Sequence, residues 1–372
     1  MIKRITSSKI FQYVVASIAS LFILFLIFVY WSSEHYPDLT NVEVKCRDEA
    51  PLMDPKKPVK VVTWNIQFLA GKNYIFFYDP VVGEGKDERP TQEDIYLSSQ
   101  RLTRVLKEED PDFILLQEVD VDAKRTDRED QVLKILNLLN KQDQNYPCST
   151  STYYWRARYI PHSHIMGSVG MKIVIISKYK ITNAHRYALG MFPTNFIDRQ
   201  FRPKRALLQA QIATKDNSPF YVLNTHLEAF SQGSDLLKNQ VEKISTHLKS
   251  LTRLKIPWIL GGDFNLLMPG LNFEQISPLQ QTLYQKDSEL KILLKDFKSI
   301  PRPEDINGPT PALWYTHFPN DPDVKAPDRT IDYIFYSPLL KPLTWSVRNG
   351  DTLKTSDHFP VITTFESPRP NP

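Results

Sequence analysis

The residues Ser356-Asp357-His358-Phe359-Pro360 stand directly before the apolar run Val361–Phe365, and this junction is the best guide to the fold. An apolar run of this kind is typical of a buried strand, whereas a core does not favour an acid and a histidine beside it. Similar junctions of apolar strand and polar residues occur at Trp64-Asn65, Gln117-Glu118, Asn224-Thr225-His226, Gly262-Asp263-Phe264-Asn265 and Ile331-Asp332. Because strand ends at one edge of an α/β sheet lie close together, we expect these polar residues to share one cleft.

The pattern of apolar residues predicts strands and helices that alternate along most of the chain. Strands are expected at 59–66, 113–117, 171–177, 205–213, 220–225, 258–260, 330–336 and 361–365, and helices at 91–109, 129–140, 236–251 and about 279–294. The proline-rich segment 300–328 is expected to be a long ordered loop, with disorder as the alternative. No shift in composition divides the chain after residue 58, which favours one α/β domain over two.

The amino-terminal segment has the composition of a membrane anchor. No charged residue occurs from Ile10 to Trp31, and at about 1.5 Å per residue such a helix spans a hydrocarbon core of roughly 30 Å. A cleaved signal peptide is the alternative, but the run ends in Tyr30-Trp31-Ser32-Ser33-Glu34 without an Ala-x-Ala site. Lys3, Arg4 and Lys9 precede it, so the positive-inside rule predicts a cytoplasmic amino terminus and an exported catalytic domain, periplasmic or extracellular.

These features predict five consecutive segments. They are a basic cytoplasmic tail (1–9), a transmembrane signal anchor (10–31), a polar tether (32–58), the folded domain (59–366) and a short tail (367–372).

Composition narrows the classes of function. The 372 residues include 46 Lys and Arg against 42 Asp and Glu, and 41% are hydrophobic, which excludes a disordered or polytopic membrane protein. Without the three basic residues of the tail the balance is 43 to 42, so no strong basic excess indicates a tight nucleic-acid binder. The two cysteines, Cys46 and Cys148, cannot by themselves build a disulfide scaffold or a four-ligand zinc site. They can form at most one bridge, but because Cys46 lies in an extended tether we expect two unpaired thiols.

Six short blocks, in this order, resemble the endonuclease/exonuclease/phosphatase superfamily, the DNase-I-like metal-dependent phosphoesterases. The blocks are Thr63-Trp64-Asn65, Leu116-Gln117-Glu118, Asn224-Thr225-His226-Leu227, Gly262-Asp263-Phe264-Asn265, Thr330-Ile331-Asp332-Tyr333-Ile334 and Ser356-Asp357-His358-Phe359-Pro360. An ordered set is far more specific than one short motif. The resemblance covers about 59–365 and implies an α/β four-layer sandwich, two packed β-sheets flanked by helices, preceded here by one transmembrane helix.

The resemblance and the chemistry of phosphate esters together suggest a metal site. Glu118 is the expected ligand for Mg²⁺, or Mn²⁺ as a substitute, because hard cations prefer carboxylate oxygens. Asn65 is expected to add a carbonyl oxygen, and Asp357 is a further candidate ligand. Gln67 stands where many relatives carry an acid, so one negative charge is missing from this site.

The remaining blocks supply candidate catalytic residues. His358 is expected to activate or position water while Asp332 fixes its tautomer. Asp263 and Asp357 are the acids on the nucleophile side. Asn265 is expected to donate to a phosphoryl oxygen, and His226 to contact the phosphate or assist the leaving group. Each residue also has an ordinary structural explanation, such as a turn or cap, and it is the set that favours catalysis.

Other polar and aromatic clusters are weaker candidates. The basic stretch Arg199, Arg202, Lys204 and Arg205 is either a solvated turn or a contact to a substrate phosphate or lipid headgroup. His162 and His164 are expected in a loop and His247 on a solvated helix face. Aromatic runs at 73–78, 153–155 and 314–315 either pack in the core or contact substrate or membrane.

The sequence therefore predicts a membrane-anchored, Mg²⁺-dependent phosphodiesterase acting on a nucleic acid or a phospholipid by metal-assisted attack of water. The alternatives are a phosphomonoesterase of a small molecule or lipid headgroup, and an inactive membrane-tethered interaction module. Nothing in the sequence indicates a protein partner.

Overall fold

The computed structural model describes residues 2–85, 89–141, 145–229 and 231–366, with side chains from Lys9 onward. Within these residues the strands are β1 (Leu39–Asn41), β2 (Val44–Cys46), β3 (Val59–Asn65), β4 (Phe113–Asp120), β5 (Cys148–Ile160), β6 (Gly167–Ser177), β7 (Ile181–Ala188), β8 (Ala206–Ile212), β9 (Phe220–His226), β10 (Trp258–Asp263), β11 (Lys298–Ile300), β12 (Asp332–Tyr336), β13 (Lys341–Val347) and β14 (Val361–Glu366). The α-helices are α1 (Ile2–Trp31), α2 (Gln92–Glu109), α3 (Gln131–Asn140), α4 (Phe196–Phe201), α5 (Leu236–Arg253), α6 (Asn272–Gln275), α7 (Pro278–Gln281), α8 (Lys291–Leu294) and α9 (Pro303–Ile306).

The strands form two seven-stranded sheets that pack face to face. Sheet I has the order β1-β7-β8-β9-β10-β12-β11, and sheet II has the order β13-β14-β3-β4-β6-β5-β2. Residues such as Val61, Leu115 and Ile259 fill the space between the sheets. Helix α5 covers the outer face of sheet I, whereas α2 and α3 cover that of sheet II. This four-layer α/β sandwich confirms the predicted fold class.

Two parallel strand pairs position the polar strand ends. β3 and β4 are parallel and are connected through α2, while β9 and β10 are parallel and are connected through α5. Their carboxyl ends therefore lie at the same edge of each sheet. In the register of sheet I, Asp263 at the end of β10 is paired with His226 on one side and with Asp332 on the other.

The segment predicted as a tether contributes to the sandwich. β1 pairs with β7 in sheet I and β2 pairs with β5 in sheet II, although both precede the domain boundary expected at residue 59. Cys46 lies directly opposite Cys148 and forms a disulfide with it, so the expectation of unpaired thiols is wrong. The reason is that this segment is held as an edge strand rather than extended away from the domain.

The predicted elements differ from the observed ones in two further ways. Within the described residues, no continuous helix spans the predicted range of about 279–294. The single-turn helices α7 and α8 form in this region instead. Strands β5, β7 and β13 lie outside the predicted runs. β5 and β7 mix buried and partly exposed residues, β13 is mostly exposed, and all three lack a continuous apolar run.

Helix α1 includes the expected membrane span. Its stretch Lys9–Trp31 has the length and mean hydropathy of a membrane-crossing helix, and 6% of its most apolar window is buried within the protein. The end of the helix is attached to the domain: the Arg158 amide donates to the Ser32 carbonyl at 2.6 Å, and Ser33 pairs with Ala157.

Gly261 allows the two sheets to approach closely beside the strand end that carries Asp263. A Cβ atom at Gly261 would lie 2.6 Å from Leu115 Cδ1 and 2.9 Å from Thr63 Cβ, both in sheet II.

Gly261→Ala should therefore lower the free energy of unfolding by roughly 1–3 kcal/mol through overpacking. Gly350→Ala is the matched control, because nothing lies within 4 Å of its added Cβ. Denaturant titration of the full chain compares them, and equal midpoints would contradict this account of the sheet packing.

Candidate active site

The polar strand ends converge around the carboxylate of Asp263. Its Oδ2 accepts a hydrogen bond from Asn65 Nδ2 at 3.0 Å and lies 3.5 Å from His226 Nε2 and 3.7 Å from His358 Nε2. Its Oδ1 accepts a hydrogen bond from the backbone N–H of Asn265 at 2.9 Å. Residues from both sheets therefore meet at one buried oxygen.

His358 is oriented by a second carboxylate. Its Nδ1 lies 2.8 Å from Asp332 Oδ2, which leaves Nε2 directed toward Asp263. Burial alone would lower the pKa of His358, but the negative charges of Asp332, Asp263 and Asp357 outweigh it and raise the pKa to about 10. The geometry matches the predicted His358–Asp332 pair.

His226 is held in a different electrostatic state. Burial, together with the positive charge of Arg205, lowers its pKa well below the usual value and keeps the ring neutral. Its Nε2 lies 4.0 Å from Glu118 Oε1, and its buried Nδ1 has no hydrogen-bond partner among the described residues. The two histidines of this cleft thus differ in charge because Asp332 lies 2.8 Å from Nδ1 of His358, whereas Nδ1 of His226 has no partner among the described residues and its ring is close to the positive charge of Arg205.

Asn65 differs from the sequence expectation. Its Oδ1 accepts the backbone N–H of Gln67 at 3.0 Å, which orients the amide so that Nδ2 faces the cleft. That nitrogen donates to Glu118 Oε1 at 3.1 Å and to Asp263 Oδ2. Asn65 therefore holds two carboxylates in place, whereas the sequence suggested that its oxygen faces a metal ion.

A bulge in β4 directs Glu118 into the cleft. The register between β4 and β6 shifts between Leu116 and Val119, so that β4 carries one extra residue. Glu118 has a φ of +55°, which is a left-handed conformation that costs energy for a residue other than glycine. This strain is tolerated where the surrounding structure fixes the backbone, and its result is a carboxylate that lines the cleft.

The backbone beside this bulge is supported by Asn224 of sheet I. Asn224 Nδ2 donates to the carbonyls of Leu116 at 2.9 Å and Val174 at 2.8 Å, both in sheet II. Its Oδ1 accepts Gln117 Nε2 at 2.7 Å, and Gln117 also donates to Thr63. The Asn-Thr-His block therefore supplies one structural residue and one cleft residue.

The donor set fits a divalent cation. Glu118 and Asp357 both line the cleft, and burial together with the charge of Asp357 raises the pKa of Glu118. A bound cation would relieve this repulsion, and carboxylate oxygens are the ligands that Mg²⁺ and Mn²⁺ prefer. Gln67 donates from Nε2 to Asp357 Oδ2 at 3.0 Å, so it orients this carboxylate without adding charge.

Among the described residues there are two groups whose potential ligand atoms all lie within 4.8 Å of one another. The first consists of Asp263, Asp332 and His358, and the second of His317, Asp357 and His358. Glu118 belongs to neither group. In the first, His358 Nδ1 is already bonded to Asp332, which suits proton transfer better than metal binding. Only the second contains a predicted ligand, Asp357.

Asn265 is fixed by its neighbours. It has a φ of +52°, and its Nδ2 donates to the Leu227 carbonyl at 3.1 Å. The residue lines the cleft, and its amide keeps a second hydrogen for another acceptor.

The cleft has a volume of about 490 Å³ and mixed walls. Tyr154 and Trp155 contribute aromatic surface, while Arg202 and Arg205 contribute positive charge. Arg205 is buried: its Nη2 donates to Glu228 at 3.3 Å, but its Nε and Nη1 have no partner among the described residues. An anionic substrate would satisfy these donors.

The other sequence candidates lie elsewhere. His162 and His164 are in a turn and pack against Phe77, as expected of a loop. His247 was expected to be solvated; instead its Nε2 lies 2.6 Å from Gln209 Oε1, and burial lowers its pKa to about 4. Tyr315 bonds Gln275 away from the cleft.

His317 and Asp79 are among the cleft residues that no sequence motif predicts. The His317 ring lies 4.3 Å from that of His358, and its Nε2 is 3.8 Å from Asp357 Oδ2. Burial and the charge of Asp357 raise the pKa of Asp79 to about 7. Both lie in irregular segments outside the recognised blocks, so no apolar strand marked them.

Comparison with known proteins places this geometry in a family. The model of the Endonuclease/Exonuclease/phosphatase family matches residues 62–358. Among curated proteins, none matches the sequence significantly. Among solved structures, the chain is similar to an endonuclease/exonuclease/phosphatase from Beutenbergia cavernae DSM 12333, at 20% identity over 84% of this chain and 72% of that chain, with a TM-score of 0.55.

Two further structures share the fold. ANGEL2, described as a 2',3'-cyclic phosphatase, is 17% identical over 88% of this chain and 98% of its own, with a TM-score of 0.53. An endonuclease/exonuclease/phosphatase from Bacteroides vulgatus is 15% identical over 84% and 100%, with a TM-score of 0.50. Because the family model spans most of the sequence, including all the converging strand ends, the chain belongs to the endonuclease/exonuclease/phosphatase family of metal-dependent phosphoester hydrolases.

Proposed function

We propose that this phosphoesterase is a membrane-anchored, Mg²⁺-dependent phosphodiesterase whose substrate is a nucleic acid or a phospholipid. The observation that carries the proposal is the convergence of Asn65, His226 and His358 on one buried oxygen of Asp263. Such a set of carboxylates, imidazoles and amides can activate water beside a phosphate ester. The intact set argues against an inactive interaction module.

Glu118 and Asp357 would hold the metal ion, which supplies positive charge to offset the phosphoryl oxygens. Asn65 positions Glu118 through its hydrogen bond, and Gln67 does the same for Asp357. With Gln67 in place of an acid, these residues carry less negative charge, which favours one ion over two.

His358 and Asp263 would handle the proton of the attacking water. Asp332 accepts from Nδ1 and the ring is held as a cation, so Nε2 carries a proton that is directed toward Asp263. Asp263 lies 3.7 Å from that nitrogen, and burial raises its pKa to about 7, so its carboxylate would accept the proton of the water while His358 positions the water.

The substrate side of the cleft would be served by neutral and cationic donors. His226 and Asn265 would donate to the phosphoryl or leaving-group oxygen, and Arg205 offers its two unpartnered guanidinium nitrogens. A phosphodiester is favoured over a monoester because the cleft has aromatic walls that can contact groups on both sides of the phosphate.

A substrate panel tests the proposal. Bis-p-nitrophenyl phosphate, p-nitrophenyl phosphate, single-stranded DNA, duplex DNA and phospholipid vesicles would each be incubated with the full chain and Mg²⁺. Turnover of the diester above the monoester supports the proposal, and the polymer and lipid samples distinguish the substrate class. Monoester turnover alone would assign a phosphomonoesterase instead, and no turnover on any of them would contradict catalysis.

The disulfide supports an exported location for the domain. Cys46 and Cys148 are paired, and disulfides persist mainly in oxidising compartments. With α1 as an uncleaved anchor, the basic residues Lys3, Arg4 and Lys9 would remain in the cytoplasm.

Reporter fusions test this orientation. A carboxy-terminal fusion to a reporter active only after export should be active, whereas one active only in the cytoplasm should be silent. The reverse pattern would overturn the orientation without affecting the catalytic assignment.

The first active-site prediction concerns Glu118→Gln. The change keeps the size of the side chain but removes its charge, so most activity should be lost and partly recovered at high Mg²⁺ or Mn²⁺. Steady-state rates over a metal titration measure this. Glu242→Gln, on the exposed face of α5, is the matched control and should keep normal activity. An unshifted metal dependence in Glu118→Gln would remove Glu118 from the metal site.

The second active-site prediction concerns the His358–Asp332 pair. His358→Ala should lower the rate by about 10²–10⁴-fold, and added metal should not restore it, because the lost group handles a proton. Asp332→Asn should give a milder loss, since the imidazole remains but loses its orienting carboxylate. Thermal melts establish that both variants fold. Near-normal turnover by a folded His358→Ala variant would show that the catalytic assignment is wrong.

A further inference from the structure

A second pocket lies where α1 joins the domain. It has a volume of about 500 Å³, and its walls include Tyr30 and Tyr36 from the junction, Arg186 from β7, and Arg199, Lys204 and Arg205 from the segment around α4. Arg205 also lines the catalytic cleft, so the two pockets adjoin along this segment. Arg205 is the residue that the two share; the other residues given a role in the proposed reaction do not line the junction pocket.

Arg186 is a buried cation without a carboxylate contact at hydrogen-bond distance among the described residues. It is 1% exposed, and its guanidinium donates from Nη2 to the Lys204 carbonyl at 2.6 Å and from Nε to the Tyr153 carbonyl at 3.4 Å. The guanidinium carbon of Arg186 lies over the ring of Tyr36, 4.1 Å from the ring centroid. Its Nη1 is buried and has no hydrogen-bond partner within the described parts of the chain. Burying a charged donor without a hydrogen-bond acceptor costs free energy of folding unless a ligand supplies the acceptor.

Lys204 adds a second cation that faces neutral groups. Its Nζ lies 3.4 Å from Ser33 Oγ and 3.2 Å from the Gln200 carbonyl. Burial and the neighbouring charge of Arg186 lower its pKa to about 8. The nearby Glu34 is directed elsewhere, with contacts to Arg156 at 3.0 Å and Tyr36 at 2.6 Å.

The charge of the pocket is therefore positive. Its lining includes the cations Arg186, Arg199, Lys204 and Arg205, and Asp38 is the acid among its lining residues. Arg205 has a partner in Glu228, but the other three cations have no ion pair with a carboxylate in the described structure. Arginine and lysine donors arranged around a concave site are suited to phosphate.

The rim of the pocket is apolar on the side of α1. Phe196 of α4 is 48% exposed and Tyr30 near the end of α1 is 45% exposed, and both line the pocket. Aromatic side chains beside basic ones at the end of a hydrophobic helix are typical of a membrane–water interface.

We propose that the junction pocket binds a phosphate group, and that the group comes from the headgroup of an anionic phospholipid in the leaflet that α1 leaves. Arg186 Nη1, Lys204 Nζ and the Arg199 guanidinium would contact the phosphate oxygens, while the lipid chains extend along α1. The lipid source rests on the proposed membrane anchoring, but the pocket is separate from the catalytic residues and its function needs no hydrolysis.

Binding to the full chain in a neutral detergent tests the proposal. Native mass spectrometry and thermal melts would compare dioleoyl phosphatidylglycerol with dioleoylglycerol, which has the same chains but no phosphate, and with inorganic phosphate. A ligand that binds only the folded state raises the melting temperature. The double variant Arg199→Gln/Lys204→Gln removes two cations, and Lys298→Gln, exposed on β11 at the opposite edge of sheet I, is the matched control.

We expect the wild-type chain and Lys298→Gln to bind the phospholipid in preference to dioleoylglycerol, and the double variant to bind it at least about tenfold more weakly. Arg199 is exposed, so Arg199→Gln alone gives a variant with undisturbed folding and a smaller loss of lipid affinity.

Equal binding of the two lipids, or unchanged affinity in the double variant, would overturn the site. Inorganic phosphate binding as tightly as the lipid would keep the phosphate site but reject its lipid source. Phospholipid binding that persists in an inactive Glu118→Gln chain separates this proposal from the catalytic one.

Discussion

The active end of the sandwich depends on one buried amide, that of Asn224, which joins the two sheets. It donates to the carbonyls of Leu116 and Val174 beside the point where the pairing of β4 and β6 becomes irregular, and it accepts from Gln117. Each of these groups would cost roughly 1–3 kcal/mol if left buried without a partner. The amide therefore makes the bulge tolerable, and the bulge in turn directs Glu118 into the cleft. Two residues beyond Asn224, the same strand supplies His226.

Charge in the cleft is organised by unequal pairing. Asp332 and its neighbouring carboxylates hold a cationic His358, whereas His226 faces Arg205 and stays neutral. Glu118 and Asp357 both line the cleft, and the charge of Asp357 raises the pKa of Glu118; Gln67 donates to Asp357 without neutralising it. A bound cation would offset the negative charge of this region, and a bound anion would accept hydrogen bonds from the unpartnered nitrogens of Arg205.

The apolar pattern was sufficient to predict buried strands whose polar ends converge, and the layers were predicted by the resemblance of the six blocks to the family. It could not predict the orientation of Asn65, since that depends on a single backbone N–H from Gln67. Nor could it pair Cys46 with Cys148, because the pairing requires that the supposed tether form edge strands. His317 has no motif: its place beside His358 is set by a loop whose path depends on tertiary contacts, such as Thr316 with Ile331 and Asp332.

The same edge strands change how a membrane anchor would act. A flexible tether would allow the cleft to lie at many different distances from the bilayer, and the largest distance would grow with the number of residues in the tether. Here the free chain is short, because Ser32 and Ser33 already contact β5, Glu34 pairs with Arg156, and β1 and β2 are paired within the sheets. If α1 crosses a membrane, the domain is therefore held close to the surface in a restricted orientation. The segment around α4, which borders both the junction pocket and the cleft, then lies between the lipid and the catalytic residues, and this arrangement favours substrates presented at the membrane surface over those that must be reached in bulk solution.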